Sequence, residues 1–315
     1  MSELKNVELA TTVTVGSNYA GAESAAIVGA AIKEADTLRL GLLTVAENVN
    51  YKLNLRKIAY TDGTTDYTCG HTPAGAITLS EKVIAPEKLK NDFDVCKEDF
   101  RATWSDPSMG ADPSNPNAPA DIMEAIAVQV LEQNAAKIDT DIWTGLAATV
   151  GEFSGLIEQF TADGSVIKAN NGITPITAAI TEANVESELK KVLDAVPVAI
   201  RRADLTVAVS PDVFQAYWFY LVSKGIANDG NAEPKQVRFG RYTLTEVNGL
   251  PDNTIVVFEK SNVVFATGLM QSELSLVDED EIGLLTGNVR GKLVYNAGVG
   301  YYNSAEIVWY LSTTA

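Results

Sequence analysis

Two alternating segments in the first third of the chain have nothing of their own to fold against. Val49, Tyr51, Leu53 and Leu55 fall on one parity, and Asn50, Lys52, Asn54 and Arg56 on the other. That period of two marks a half-buried strand. Asp62-Gly63 is a turn signal. A second run follows, in which Ile77, Leu79, Val83 and Ala85 interleave with Thr78, Ser80, Glu81 and Lys82. Together the runs predict a two-stranded excursion of about 40 residues. An isolated two-stranded hairpin is only marginally stable in water, so this one must lie on something else, and a second subunit is the natural support.

Around the hairpin the elements are easier to read. Residues 1–35 carry small residues and weak periodicity, with a short helical stretch at Ala25–Ala31, and are read as an arm. Asp106–Pro119 is rich in Pro, Asp and Asn and reads as a loop. From Asp121 the apolar residues Ile122, Ile126, Val130, Leu131, Ala135, Ile138 and Ile142 step by three or four, while Glu124, Glu132, Asn134 and Asp139 fall elsewhere. This predicts an amphipathic helix running to about Trp143, on the order of 30 Å long. Its length suggests a spine. Residues 144–183 break into short pieces, among them Phe153-Ser154-Gly155-Leu156-Ile157.

A second helix is predicted after Asn184, which is placed as its N-cap, with apolar positions Val185, Leu189, Val192, Leu193 and Val196 and a stop at Pro197. Leu205–Val209 reads as a strand. Ser210-Pro211-Asp212 opens a third helix, which carries Phe214, Tyr217, Trp218 and Leu221 and stops at Gly225; its aromatic stripe is read as core. Strands are predicted at 242–247, 255–258, 263–267 and 274–277, then at 289–302 with an interruption at Asn296-Ala297-Gly298, and finally at 305–311. The run Asp278-Glu279-Asp280-Glu281 lacks the spacing of a calcium loop and reads as a solvated turn.

Catalytic chemistry is poorly provided for. The one histidine, His71, lies near Cys69, and Cys96 is the only other thiol. As metal ligands or a nucleophile–base pair these fall short of the three or four regularly spaced ligands of a zinc site, and an incidental role is preferred. No phosphate-binding glycine loop, zinc-protease motif or nucleophile elbow occurs. The expectation is a non-enzyme, with no catalytic, cofactor-binding or metal residues. The charge narrows the partners further. With 24 Lys+Arg against 41 Asp+Glu in 315 residues, the net charge is −17, which disfavours holding nucleic acid by neutralising phosphates. The opening Met-Ser-Glu-Leu-Lys lacks the order of a signal peptide, and the apolar stretch Gly21–Ile32 is short of the ~20 residues needed to span a bilayer. Synthesis in the cytoplasm without a membrane role is expected; a reducing compartment would keep Cys69 and Cys96 as thiols, and a single structural bridge between them is the alternative.

Taken in order, these segments resemble a tailed-bacteriophage major capsid protein of the Hong Kong 97 type. The resemblance runs through the arm and the hairpin loop at about 49–90. It continues through Asp94–Phe100 leading to the spine helix, which ends in Ala136-Lys137-Ile138-Asp139-Thr140-Asp141-Ile142-Trp143, and through the Phe-Ser-Gly-Leu-Ile segment at 153–157. Glu246-Val247-Asn248-Gly249-Leu250-Pro251, Ser261–Leu269 and the strands around Lys292–Tyr302 complete it.

The resemblance implies an α+β fold: an N-terminal arm at 1–35, an extended hairpin loop with its flanks at 36–92, a peripheral domain at 93–180 and 276–302 with the spine helix at 120–143, and an axial domain at 181–275 and 303–315. It implies a virion shell of hexamers and pentamers closed around double-stranded DNA, with room for separate scaffolding, portal and decoration proteins. The candidate intersubunit residues are Tyr51, Lys52, Leu53, Arg56, Lys57, Asp62 and Lys82. Two alternatives accompany this reading: an encapsulin-like nanocompartment shell, and a tail or tube structural protein. Some relatives carry a cleaved N-terminal scaffolding segment, for which the roughly 35 residues ahead of the hairpin leave little room. Others crosslink Lys to Asn, and no motif here selects a lysine for that.

Overall fold

The computed structural model describes residues 18–19, 35–67, 69–70, 73–96, 120–201, 205–225, 236–268, 273–279 and 287–312. The remainder of the expected arm, including Ala25–Ala31, the 106–119 loop and His71 lie outside the described residues.

The chain enters through β1 (Asn18–Tyr19), a one-turn helix α1 (Asp36–Arg39) and β2 (Thr44–Ala46), then forms the hairpin strands β3 (Leu53–Thr61) and β4 (Ala76–Ile84). These pair antiparallel from Leu53 opposite Ile84 to Thr61 opposite Ala76. The first strand starts later than its alternation suggested. Val49 is tied to the body by its N–H, which donates 3.1 Å to the Thr267 carbonyl, so the ribbon leaves the body only after it. The hairpin hands over directly to β5 (Glu87–Cys96), a strand absent from the expected elements although Leu89, Phe93 and Val95 alternate with Lys88, Lys90, Asp92 and Asp94.

The spine is α2 (Ala120–Thr144). At 25 residues it is about 37 Å long. α3 (Leu156–Ala162), α4 (Val185–Ala195), β6 (Thr206–Val209), α5 (Pro211–Ser223), β7 (Gln236–Phe239), β8 (Tyr242–Glu246), β9 (Thr254–Phe258), β10 (Val263–Thr267), β11 (Glu273–Asp278), β12 (Asn288–Tyr301) and β13 (Val308–Leu311) follow. Two sheets organise them. One has the order β1-β11-β12-β10-β2, with β5 also on β12; the other has the order β13-β9-β6-β8-β7. Sheet membership divides the chain ahead of residue 275, because β10 pairs with β12 and so lies with 276–302, not with the 181–262 segment.

The five-stranded sheet is buried on both faces, which is why its central strands read as unbroken apolar runs. Val207, Val209, Ile255 and Val257 face a core that includes Val185, Leu189 and Val192 of α4 and Phe214 and Tyr217 of α5. Ala208, Val256 and Phe258 face the other way, into the core that also holds Ile138, Ile142 and Trp143 of the spine. The end of the spine is thus wedged against the back of this sheet, with Trp143 packed on Phe258 at 6.2 Å between ring centres.

That wedge overturns two expectations. Asn134 and Asp139, expected off the apolar stripe, are both buried on its flanks: Asp139 is four residues from Ala135 and three from Ile142, and Asn134 four from Ile138. Asp139 is only 4% exposed; its Oδ1 accepts the Thr37 N–H at 2.8 Å, and the Gly249 N–H also donates to it. Thr37 Oγ1 accepts a 2.9 Å bond from Trp143 Nε1.

Four other expectations are corrected. Asn184 does not cap α4 with its side chain: Oδ1 accepts the Thr181 N–H at 2.7 Å and builds the preceding turn instead. β12 is continuous through 296–298. Gly298 is there for a close approach, since a Cβ at that position would sit 3.0 Å from Pro86 Cα. The final strand is shorter than expected, with a 3-10 turn at Ser304–Glu306 ahead of it. Asp278 and Glu279 are buried, not solvated; Glu279 pairs with Arg290 at 2.9 Å across the β11–β12 connection.

Candidate assembly surface

The hairpin has two faces with different fates. Residues directly opposite in an antiparallel pair share a face, as do alternate residues along each strand. Leu53, Leu55, Lys57, Ser80, Lys82 and Ile84 therefore form one face, and Arg56, Ile58, Tyr60, Ile77, Leu79, Glu81 and Val83 lie on the other. At its foot the first face turns onto the body, where Leu55 and Ile84 are buried with Val49, Val264 and Ala266.

Farther out, the second face carries four large apolar side chains with nothing against them. Ile58 is 70% exposed, Tyr60 66%, Ile77 71% and Leu79 70%. Ile58 stands opposite Leu79 and Tyr60 opposite Ile77, so the four form one contiguous patch. Single exposed apolar residues are ordinary, whereas a contiguous apolar patch marks an interaction surface.

The candidate residues are spread over both faces. Tyr51 and Lys52 are exposed where the ribbon leaves the body, with the Lys52 ammonium 5.0 Å from the Tyr51 ring centre. Arg56 is exposed and faces Glu81 at 3.8 Å, bordering the apolar patch. Lys57 is half-buried on the body-facing side. Asp62 lies just beyond the end of β3; the hydroxyl of Thr64 (2.6 Å) and its N–H (3.0 Å) donate to its carboxylate and hold the acid below its usual range. Leu53 and Lys82 face their own chain's body, and Lys82 lies over the Tyr301 ring. The ribbon does not bring the seven together as one site. None of the four residues of the apolar patch is among the seven: Ile77 and Leu79 entered only as part of a strand pattern, and Ile58 and Tyr60 not at all. A signal for them existed: between Leu55 and Ile58 the apolar residues change parity, which turns the hydrophobic side of the strand over.

The remaining candidates for chemistry do not assemble. Cys69 is an exposed free thiol beyond the far ends of nine-residue strands, while Cys96 ends β5 on the body. Among the described residues there is no group of three or more His, Cys, Asp or Glu able to hold a metal. Nor is any helix among them long and apolar enough to cross a membrane.

This arrangement of spine helix, two sheets and projecting ribbon is the fold of phage capsid shell proteins. No family model matches the chain, and no curated protein matches it. Solved structures do. The capsid of a native GTA particle aligns with a TM-score of 0.62 at 13% identity, covering 87% of this chain and 89% of that one. The capsid of cyanophage A-1(L) gives 0.59 at 12% identity, over 89% and 94%. A virus-like particle from Pyrococcus furiosus gives 0.50 at 12% identity, over 90% and 96%. The likeness in fold thus extends over most of each chain, at 12–13% sequence identity.

Proposed function

We propose that this chain is the major shell protein of an icosahedral phage head, a structural component of the virion with no catalytic role of its own. The observation that carries the reading is the unbacked apolar patch of Ile58, Tyr60, Ile77 and Leu79 on a ribbon that projects from a closed body. Covering each of these side chains stabilises an interface by about 1–2 kcal/mol, and a second copy of the chain supplies the cover in a self-assembling shell. Copies arranged as hexamers and pentamers close the shell around double-stranded DNA. Tyr51, Lys52, Arg56 and Asp62 border that contact between copies, while Leu53, Lys57 and Lys82 seat the ribbon on its own body.

Confinement, not affinity, retains the DNA, because a chain of net charge −17 repels phosphate. Electron microscopy of the purified chain in negative stain is expected to show capsomers, shells or tubes, and a persistent monodisperse monomer under assembly conditions would overturn the reading. The likeness to the Pyrococcus furiosus particle supports a second reading, an encapsulin-like compartment enclosing protein cargo. Nuclease-protected DNA inside natural particles selects the phage head; a co-purifying cargo protein selects the compartment.

A further inference from the structure

Where the hairpin meets the body, the Lys82 side chain lies between them. Lys82 Nζ is 3.1 Å from the centre of the Tyr301 ring on β12. The Tyr301 hydroxyl donates 3.0 Å to Asp163 Oδ2, just past the end of α3, and Asp163 Oδ1 accepts the Ser165 N–H at 2.9 Å. The ribbon, the body sheet and α3 therefore meet through three side chains. The contact is close because the neighbouring residue on β12 is Gly300; a Cβ there would lie 2.6 Å from Ile84 Cγ1, two residues from Lys82. The other charged group on this side of the ribbon is Lys57, which stands opposite Ser80 and hence diagonal to Lys82. The apolar residues of the adjoining core, Val49, Val264 and Ala266, bring no charge.

We propose that Lys82, Tyr301 and Asp163 form a catch in which the protonation of one amine sets how firmly the hairpin is seated on the body. Seating takes Lys82 partly out of water, yet among the described residues no carboxylate pairs with it directly. The aromatic face stands in for one, and the Asp163 charge lies behind the Tyr301 hydroxyl. A ring face attracts an ammonium ion less strongly than water and a carboxylate together do, so the seated amine gives up its proton more readily than a free one.

Burial draws Lys82 down from 10.5 to about 8, against the pull of Asp163. The sign follows from linkage. Between about 8 and 10.5 the unseated ribbon holds the extra proton, so seating gains up to about tenfold per pH unit across that window. Below it the amine is charged in both states, and seating carries the whole cost of desolvation. The ribbon that carries the apolar patch is thus held loosely near neutral pH and more tightly in mild alkali.

The test uses the full chain, unassembled, so that it is decided separately from the shell reading. With Cys96→Ser, a dye on the exposed Cys69 reports the freedom of the hairpin tip by fluorescence anisotropy between about pH 6.5 and 9.5. Anisotropy is expected to rise with a midpoint near that of Lys82. The neutral Lys82→Met is expected to hold the high-pH value throughout, and the permanently charged Lys82→Arg the low one. NMR titration of the Lys82 ε-carbon gives the amine's own midpoint. A flat wild-type profile, a Lys82→Met chain that titrates as the wild type does, or an amine midpoint near 10.5 overturns the catch.

Discussion

At the scale of single residues, the junction between the spine and the Asn248-Gly249 turn is the most exacting part of the molecule. A Cβ on Gly249 would lie 2.4 Å from the Asp139 carbonyl oxygen and 2.8 Å from Trp143 Cδ1. Both neighbours are fixed in the core, so Gly249→Ala is expected to lower stability by about 1–3 kcal/mol in urea unfolding. Asp139→Ala leaves the buried Thr37 and Gly249 N–H groups without their acceptor, at a cost of about 1–3 kcal/mol. The pH dependence gives a sharper check. Burial holds the Asp139 carboxyl above its ordinary value, against the hydrogen bonds from Thr37 and Gly249. An acid raised in the folded state lends stability that is complete below its unfolded value and lost as pH rises through its folded one. The stability gap between wild type and Asp139→Ala should therefore narrow from about pH 4 to pH 7, and a gap that widens would show that the carboxylate is the stabilised form. Helical spacing already sets Asp139 on the flank of the apolar stripe, four residues from Ala135 and three from Ile142. What it could not expose is the pair of donors, Thr37 and Gly249, that reach the carboxylate from distant parts of the chain.

At the scale of elements, the spine helix and the central strands were legible because their periodicity is strong and their packing repeats it. β9 reads as a continuous apolar run because both of its faces are covered, and β10 is likewise buried at every position. α3 was not legible, because it has only seven residues. β5 carries an alternation of Leu89, Phe93 and Val95 with Lys88, Lys90, Asp92 and Asp94 that the expected elements left unused; it is an edge strand whose charges protect an open side. The hairpin was legible as a ribbon but not in its division of faces. Replacing Ile58, Tyr60, Ile77 and Leu79 together by Thr keeps the preference for a strand and removes no contact with the chain's own core. Each change should alter the stability of the isolated subunit by no more than about 0.5 kcal/mol, while light scattering should show assembly abolished; retained assembly would place the interface elsewhere. Deleting 58–80 tests the same element more coarsely. It is expected to leave a soluble subunit that forms no stable shell, and normal particles would refute the role assigned to the ribbon.

At the scale of the whole molecule, the net charge of −17 becomes a statement about conditions of assembly. Subunits of like charge repel, and salt shortens the range of that repulsion to about 8 Å at physiological ionic strength. Shell formation should accordingly rise as salt is raised from about 0.05 to 0.5 M, whereas a duplex DNA fragment should show no gel shift with the free subunit at about 0.15 M. Assembly that falls with salt, or DNA retention that does so, would mean that a local basic surface dominates the overall charge. The spine, the central strands of the five-stranded sheet and the acidic character were determined by the sequence alone, because each depends on local spacing or on composition. Which face of the ribbon meets its own body, which groups meet Asp139 and Glu279 in the interior, and why β12 runs unbroken past Gly298 were decided only by the tertiary structure. Each of these depends on a partner brought in from far along the chain, and a local pattern carries no information about what will arrive opposite it.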